Sequence, residues 1–193
     1  AFGLPMGGDV ATGTACLALL MFGLPHGTMD LELIRSRVSG PLTRLSVLVS
    51  AYLALALAMY VLWRVEPVAA LASFVAIAVF HFSEDWEGAG SGLLQSGLAL
   101  AILSMPALLH RTELDAVFIS LTGRNEAVVI SDGLLLLAPV SIGLAAVCIF
   151  CLYQGRRHDQ AIGAIVSLLA IITLPPVVGF ACYFCLFHSP RNF

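Results

Sequence analysis

Between residues 10 and 187 the chain is a succession of apolar runs separated by polar connections, a longer one being residues 110–132. The runs occupy residues 10–24, 45–63, 68–82, 93–109, 133–153 and 161–187. About 20 apolar residues of helix cross the hydrocarbon core of a bilayer. The expected fold is therefore all-α, a polytopic bundle in which the membrane segments are the fold. Composition agrees: 60% of the residues are apolar and 11% charged, with a mean hydropathy of +0.98, whereas a soluble domain is about one quarter charged.

The last run is too long for one comfortable crossing, and Pro175-Pro176 interrupts it. Two adjacent prolines remove two backbone donors and favour a break or a new helix start. The break decides where His188 lies. With six spans, His26 and His81 fall on one side of the membrane and His188 on the other. With a break there are about seven spans, and the last runs in the same direction as the first and third. His188 follows Pro176 by 12 residues, or ~18 Å of helix at ~1.5 Å per residue. That returns it to the depth of His26 and His81. The seven-span reading is adopted, with residues 1–193 forming a single transmembrane domain.

The net charge is −3, all nine basic residues are arginine and no basic stripe exists, so nucleic-acid binding has no support. Arg35, Arg37, Arg44, Arg156 and Arg157 share the side of the His26 loop, and Arg64, Arg111 and Arg124 lie opposite. The positive-inside rule turns the histidine end toward the cytoplasm. Cys16, Cys148, Cys151, Cys182 and Cys185 all lie in apolar runs, where cysteine behaves as a small hydrophobe rather than as a disulfide framework or zinc ligand. His110 and His158 lie in polar connections and read as surface residues. The chain begins at Ala1 rather than Met and is expected to be a processed or partial one.

Three motifs carry the chemistry: Gly23-Leu24-Pro25-His26-Gly27-Thr28-Met29-Asp30, Phe80-His81-Phe82-Ser83-Glu84-Asp85, and Tyr183-Phe184-Cys185-Leu186-Phe187-His188-Ser189-Pro190-Arg191. Each places a histidine at the end of an apolar run. Ionisable groups at membrane depth are costly to bury and mark functional sites by default. Taken singly, each histidine reads as a helix-end residue bonded to a carbonyl. Taken together, they read most economically as ligands of one metal ion, since imidazole is the commonest protein ligand for iron, zinc and copper. Asp30, Glu84 and Asp85 are candidates to accept the outer N–H of a ligating imidazole. Asp30 is the first choice, four residues from His26. All three also fit a description as solvated loop acids. A proton or ion transporter would place acids near mid-span, whereas those of this chain cluster at segment ends.

The order, spacing and apolar setting of the three motifs, from Gly23 to Arg191, resemble the Brp/Blh family of bacterial and archaeal β-carotene 15,15′-dioxygenases. The resemblance implies a multi-pass enzyme of the bacterial inner membrane with histidine-bound Fe(II). It implies cleavage of β-carotene by dioxygen at the central double bond, giving two retinal molecules. Carried over, His26, His81 and His188 are the expected iron ligands and catalytic centre. The family places a fourth histidine four residues after His188, where this chain has Asn192. An i, i+4 pair shares a helix face, so Asn192 is the expected fourth ligand position, offering a weaker carbonyl oxygen. The family also usually continues past the position of Phe193, so the pocket is expected to be C-terminally incomplete in this sequence.

A carotenoid presents nothing to hydrogen-bond, so its tunnel should be apolar and reached from the lipid. Phe22, Phe80, Phe82, Trp86, Tyr183, Phe184 and Phe187 flank the motifs and are the candidates to line it, or equally to be packing and interface residues. The expected partners are a carotenoid and dioxygen, with a functional link to a retinal-binding rhodopsin or a pigment–protein membrane complex. The alternative reading is a catalytically impaired relative that serves as a carotenoid-binding or assembly subunit.

Overall fold

The computed structural model describes residues 10–22 and 42–191, and every regular element among them is helical. α1 is Val10–Phe22, α2 Leu42–Val65, α3 Pro67–Ser83, α4 Gly92–Leu109 and α5 Arg111–Thr122. α6 is Val128–Gln154, α7 His158–Thr173 and α8 Pro176–Tyr183. α8 continues through a π-helical turn, Phe184–His188, into the short α9, Ser189–Arg191. Ser46–Val65, Pro67–Trp86, Gly92–Leu109 and Asn125–Gln154 are long and apolar enough to cross a bilayer, and α1 and α7 are shorter apolar helices. The chain is an all-helical membrane bundle.

Small residues set its centre. α4 and α6 form the most extensively packed pair, antiparallel, with Ala101, Ser104, Ala138, Ser141 and Ala145 all buried. A Cβ on Gly97 would fall 2.4 Å from the Cβ of Leu144, so only glycine permits this approach. Helices in lipid associate through such close packing and through interhelical hydrogen bonds. Ser141 donates to the Ala138 carbonyl at 2.9 Å, so the 2.8 Å contact between the two serine hydroxyls is donated by Ser104.

The Pro175-Pro176 break is observed. Leu174 is extended (ψ 154°) and stops α7. Pro175 is extended as well (ψ 149°), and Pro176 opens α8, where its missing N–H has no helical acceptor to lose. α8 then returns along α7. Gly179 meets the backbone of Ala170 and Ile171, and Gly163 meets the ring of Phe187, so residue numbers rise on one helix as they fall on the other.

One expectation changes. Residues 110–132, read as a polar connection, contain α5. Its charges lie at one end, and Leu114 and Phe118 pack into a satellite core with Leu71, Ala127, Ile130 and Leu134. Gly123, with φ +67°, ends the helix in the left-handed conformation. Arg111 bonds both Asp115 and Asp132, and those hydrogen bonds raise its pKa above the ordinary guanidinium value. His110, read as surface, is only half-exposed and contacts the Ile172 carbonyl through Nε2 at 2.9 Å. These contacts gather at one end of the bundle. The ends of α3, α6 and α9 and the starts of α4 and α7 gather at the other.

Candidate metal centre

The second and third motifs meet at that other end. His81 sits in the last turn of α3, and His188 closes the π-helical turn. Their Nε2 atoms are 3.2 Å apart, with ring centroids 4.9 Å apart and planes at 71°. Two nitrogens bound to one ion at about 2.0–2.1 Å lie about 2.8–3.4 Å apart for bond angles between a right angle and the tetrahedral value. The separation fits a shared metal, as it fits a direct N–H···N hydrogen bond between the two rings. Among the described residues no group of three or more His, Cys, Asp and Glu side chains converges on one position. His26, Asp30 and Asn192 lie outside the described residues.

His188 is held from behind. Its Nδ1 lies 2.8 Å from Asp85 Oδ2 and 3.0 Å from Oδ1, with side chains 1% and 2% exposed respectively. A carboxylate only accepts, so Nδ1 carries the proton and the Nε2 lone pair is directed at His81. This is the arrangement by which outer carboxylates fix the tautomer and orientation of metal-binding histidines. Tyr183 donates its hydroxyl to Asp85 Oδ2 at 2.5 Å. Asp85 thus takes hydrogen bonds from two side chains of the last helix.

Aromatic rings pack around His188. Phe82 stands edge-on to His188 with centroids 4.9 Å apart, and the Phe184 ring lies at 5.2 Å, tilted by 33°. Trp86 is fully buried and stacks on Phe187 at 4.8 Å. Trp86 Nε1 has no acceptor among the described residues. Of the residues expected to line a tunnel, Phe82, Trp86, Tyr183, Phe184 and Phe187 are brought together. Phe80 is 70% exposed on the outer side of α3, and Phe22 is exposed at the end of α1. Of the two neighbouring acids, Asp85 supports His188. Glu84 is exposed and lines a polar cavity of about 300 Å³ with Asp85, Glu87, Arg157, Gln160 and Arg191.

That cavity was not foreseen. The buried Gln160 amide, oriented to satisfy both neighbours, donates to the Glu87 carbonyl at 3.1 Å and accepts from Arg191 at 2.5 Å. Arg191 also lies over the Phe187 ring, 5.0 Å from its centroid. Arg157 packs against the backbone of Gly88, which has φ +100°. These contacts clamp the loop after α3 to the start of α7 and to α9. The five cysteines are free.

Helices long and apolar enough to cross a membrane, with two converging imidazoles at one end and a buried carboxylate behind one of them, define a polytopic membrane protein with a candidate histidine metal centre. The family model for beta-carotene 15,15'-dioxygenase matches residues 17–193, and the chain belongs to that family. It is similar to a protein named Beta-carotene 15,15'-dioxygenase from uncultured marine bacterium 66A03, with 29% identity over 190 residues, covering 92% of this chain and 66% of the relative. It is also similar to the Probable beta-carotene 15,15'-dioxygenase Blh of Halobacterium salinarum, with 26% identity over 202 residues, covering 90% and 58%. The chain thus spans 66% of the length of the first relative and 58% of the second. No solved structure matches.

Proposed function

We propose that this chain forms the metal-binding part of a membrane-embedded, non-haem iron dioxygenase that cleaves β-carotene at its central double bond. One dioxygen adds across one C=C bond, two C=O bonds form, and two retinal molecules result with no net proton transfer. The observation that carries the reading is the 3.2 Å approach of His81 and His188 Nε2, with Nδ1 of His188 anchored on buried Asp85. His81 and His188 would hold Fe(II), with His26 and Asn192 as the further ligands that the family pattern supplies. Bound iron supplies the site at which dioxygen is taken up and activated.

The chain's own residues do the rest. Asp85 holds His188 in one tautomer, so its Nε2 stays a lone-pair donor. Phe82 and Phe184 exclude water from the His188 ring, which favours an apolar substrate over hydrolytic chemistry. The polyene would arrive from the lipid side, since the outer surfaces of the spans are apolar. The proposed setting is the bacterial inner membrane, histidine end toward the cytoplasm, supplying retinal to a retinal-binding protein. The test is to express the chain in a host that accumulates β-carotene and to measure retinal and iron per protein. Retinal and iron in the parent, both lost in His188→Ala, are expected. Iron without retinal would instead favour a carotenoid-binding role, and neither would overturn the reading.

A further inference from the structure

We infer that Tyr183 is a positioning residue for the metal centre, acting through Asp85, and that the π-helical turn exists to let it do so. The inference rests on the metal reading of the His81–His188 pair. Tyr183 and His188 are five residues apart on one helix. In an α-helix five residues turn the chain by about 500°, leaving the two side chains about 140° apart. They would then face different neighbours. Between them lies the turn Phe184–His188, in which the Ser189 N–H bonds the Phe184 carbonyl. An i→i+5 turn takes up more residues than an α turn, so it brings residue 188 nearer the face of residue 183 than an α-helix would. The consequence is seen in the structure: the Tyr183 hydroxyl and the His188 imidazole both reach the Asp85 carboxylate, Oδ2 taking bonds of 2.5 Å and 2.8 Å. π-turns are rare and recur at functional sites.

The geometry gives Tyr183 a task that packing alone would not. A carboxylate with one partner can rotate about its terminal torsion, which is broad and soft. The second donor at Oδ2 fixes that torsion, and with it the direction in which His188 presents Nε2. The same ring stacks on Phe187 and Trp86, so the phenol is itself immobilised. Tyr183 is buried, so its hydroxyl has a neutral route to stabilising the carboxylate where water cannot substitute.

The test uses the full chain in detergent or nanodiscs, under anaerobic conditions, with Fe(II) for affinity and Co(II) as a visible-absorbing probe of ligand geometry. Tyr183→Phe keeps the stacked ring and removes only the hydroxyl. It should lower metal affinity by about tenfold or more, as loss of an outer-shell partner does, and should alter the Co(II) spectrum. Phe180→Leu loosens the packing beside Tyr183 without touching Asp85, and should lower the melting temperature while keeping affinity and spectrum. A Tyr183→Phe variant that matches the parent in both readouts overturns the inference alone. So does a Phe180→Leu variant that loses as much affinity. A parent that binds neither metal overturns the metal reading and this inference with it.

Discussion

Asp85 and His188, 103 residues apart in sequence, meet at 2.8 Å through Oδ2 and Nδ1, sealed almost completely from solvent. The contact joins the turn after α3 to the end of the last long helical segment. It therefore does two things at once: it orients an imidazole and it fixes where two helices end relative to each other. Substitutions around it should separate the two roles.

Asp85→Asn keeps the shape and one acceptor but removes the charge. Fe(II) affinity should fall about 10- to 100-fold with the fold retained. Asp85→Leu also leaves the Tyr183 hydroxyl and the His188 N–H buried without an acceptor, and each such group costs about 1–3 kcal/mol. Anaerobic titration and melting temperature in the same detergent check both. Unchanged affinity in the Asn variant would detach Asp85 from the metal.

The two histidines should differ in what else they lose. His81 is exposed and His188 is 1% exposed on its carboxylate. His81→Ala should abolish iron binding with little change in stability. His188→Ala should abolish iron and also destabilise, because the buried Asp85 carboxylate loses a hydrogen-bond donor, which costs about 1–3 kcal/mol or more. Iron content and thermal unfolding, measured side by side, test the asymmetry. Wild-type iron in both variants would place the metal elsewhere.

Gly179 tests the hairpin that carries His188 back to His81. A Cβ there would sit 3.0 Å from the Ala170 carbonyl oxygen and 3.2 Å from the Ile171 Cα. Backbone atoms cannot swing aside as a side chain can. Gly179→Val should cost about 1–3 kcal/mol or more by overpacking, and should weaken iron retention although no ligand is altered. An unchanged melting temperature would show that α7 and α8 are not held this closely.

The family pattern yields a further expectation at a position outside the described residues. Asn192→His replaces a neutral oxygen with an imidazole nitrogen, the better ligand for a transition metal. Iron per protein should rise, and retinal formed from β-carotene should rise with it. If the parent already carries stoichiometric iron and the variant changes neither quantity, residue 192 is not a ligand.

Much of this was legible in the chain. Run lengths set the spans, and Pro175-Pro176 marked the reversal because proline at a helix start sacrifices nothing. Span parity then brought His188 to the end of the bundle that holds His81. The distinction between Glu84 and Asp85 was not legible. It depends on the 3₁₀ turn Glu84–Trp86 that follows α3, which turns one acid inward and leaves its neighbour exposed. The partnership of Tyr183 with Asp85 was hidden for a sharper reason. Read with an α-helical period, residues 183 and 188 face apart, and nothing in the composition of Phe184-Cys185-Leu186-Phe187 announces a wider turn. Gln160 was passed over, and Arg191 was read only as the end of the third motif, because each is an ordinary polar residue at a segment end until folding pairs them. α5 was missed because its apolar positions are too few for a membrane run.

The α7–α8 hairpin has a consequence for how the protein is made. α7 has 16 residues, ~24 Å at ~1.5 Å per residue, short of a hydrocarbon core of about 30 Å. α8 and its continuation to Arg191 are no longer. Gly163 and Gly179, which hold the two segments in contact, act when both are in place. The two segments are therefore suited to enter the bilayer as a pair, against a platform of α4 and α6 already laid down by the earlier part of the chain. His188 rides on the second member of that pair and arrives after His81. A metal gripped between His81 and His188 can be held only once the hairpin has docked, so iron capture would report completed insertion of the described chain.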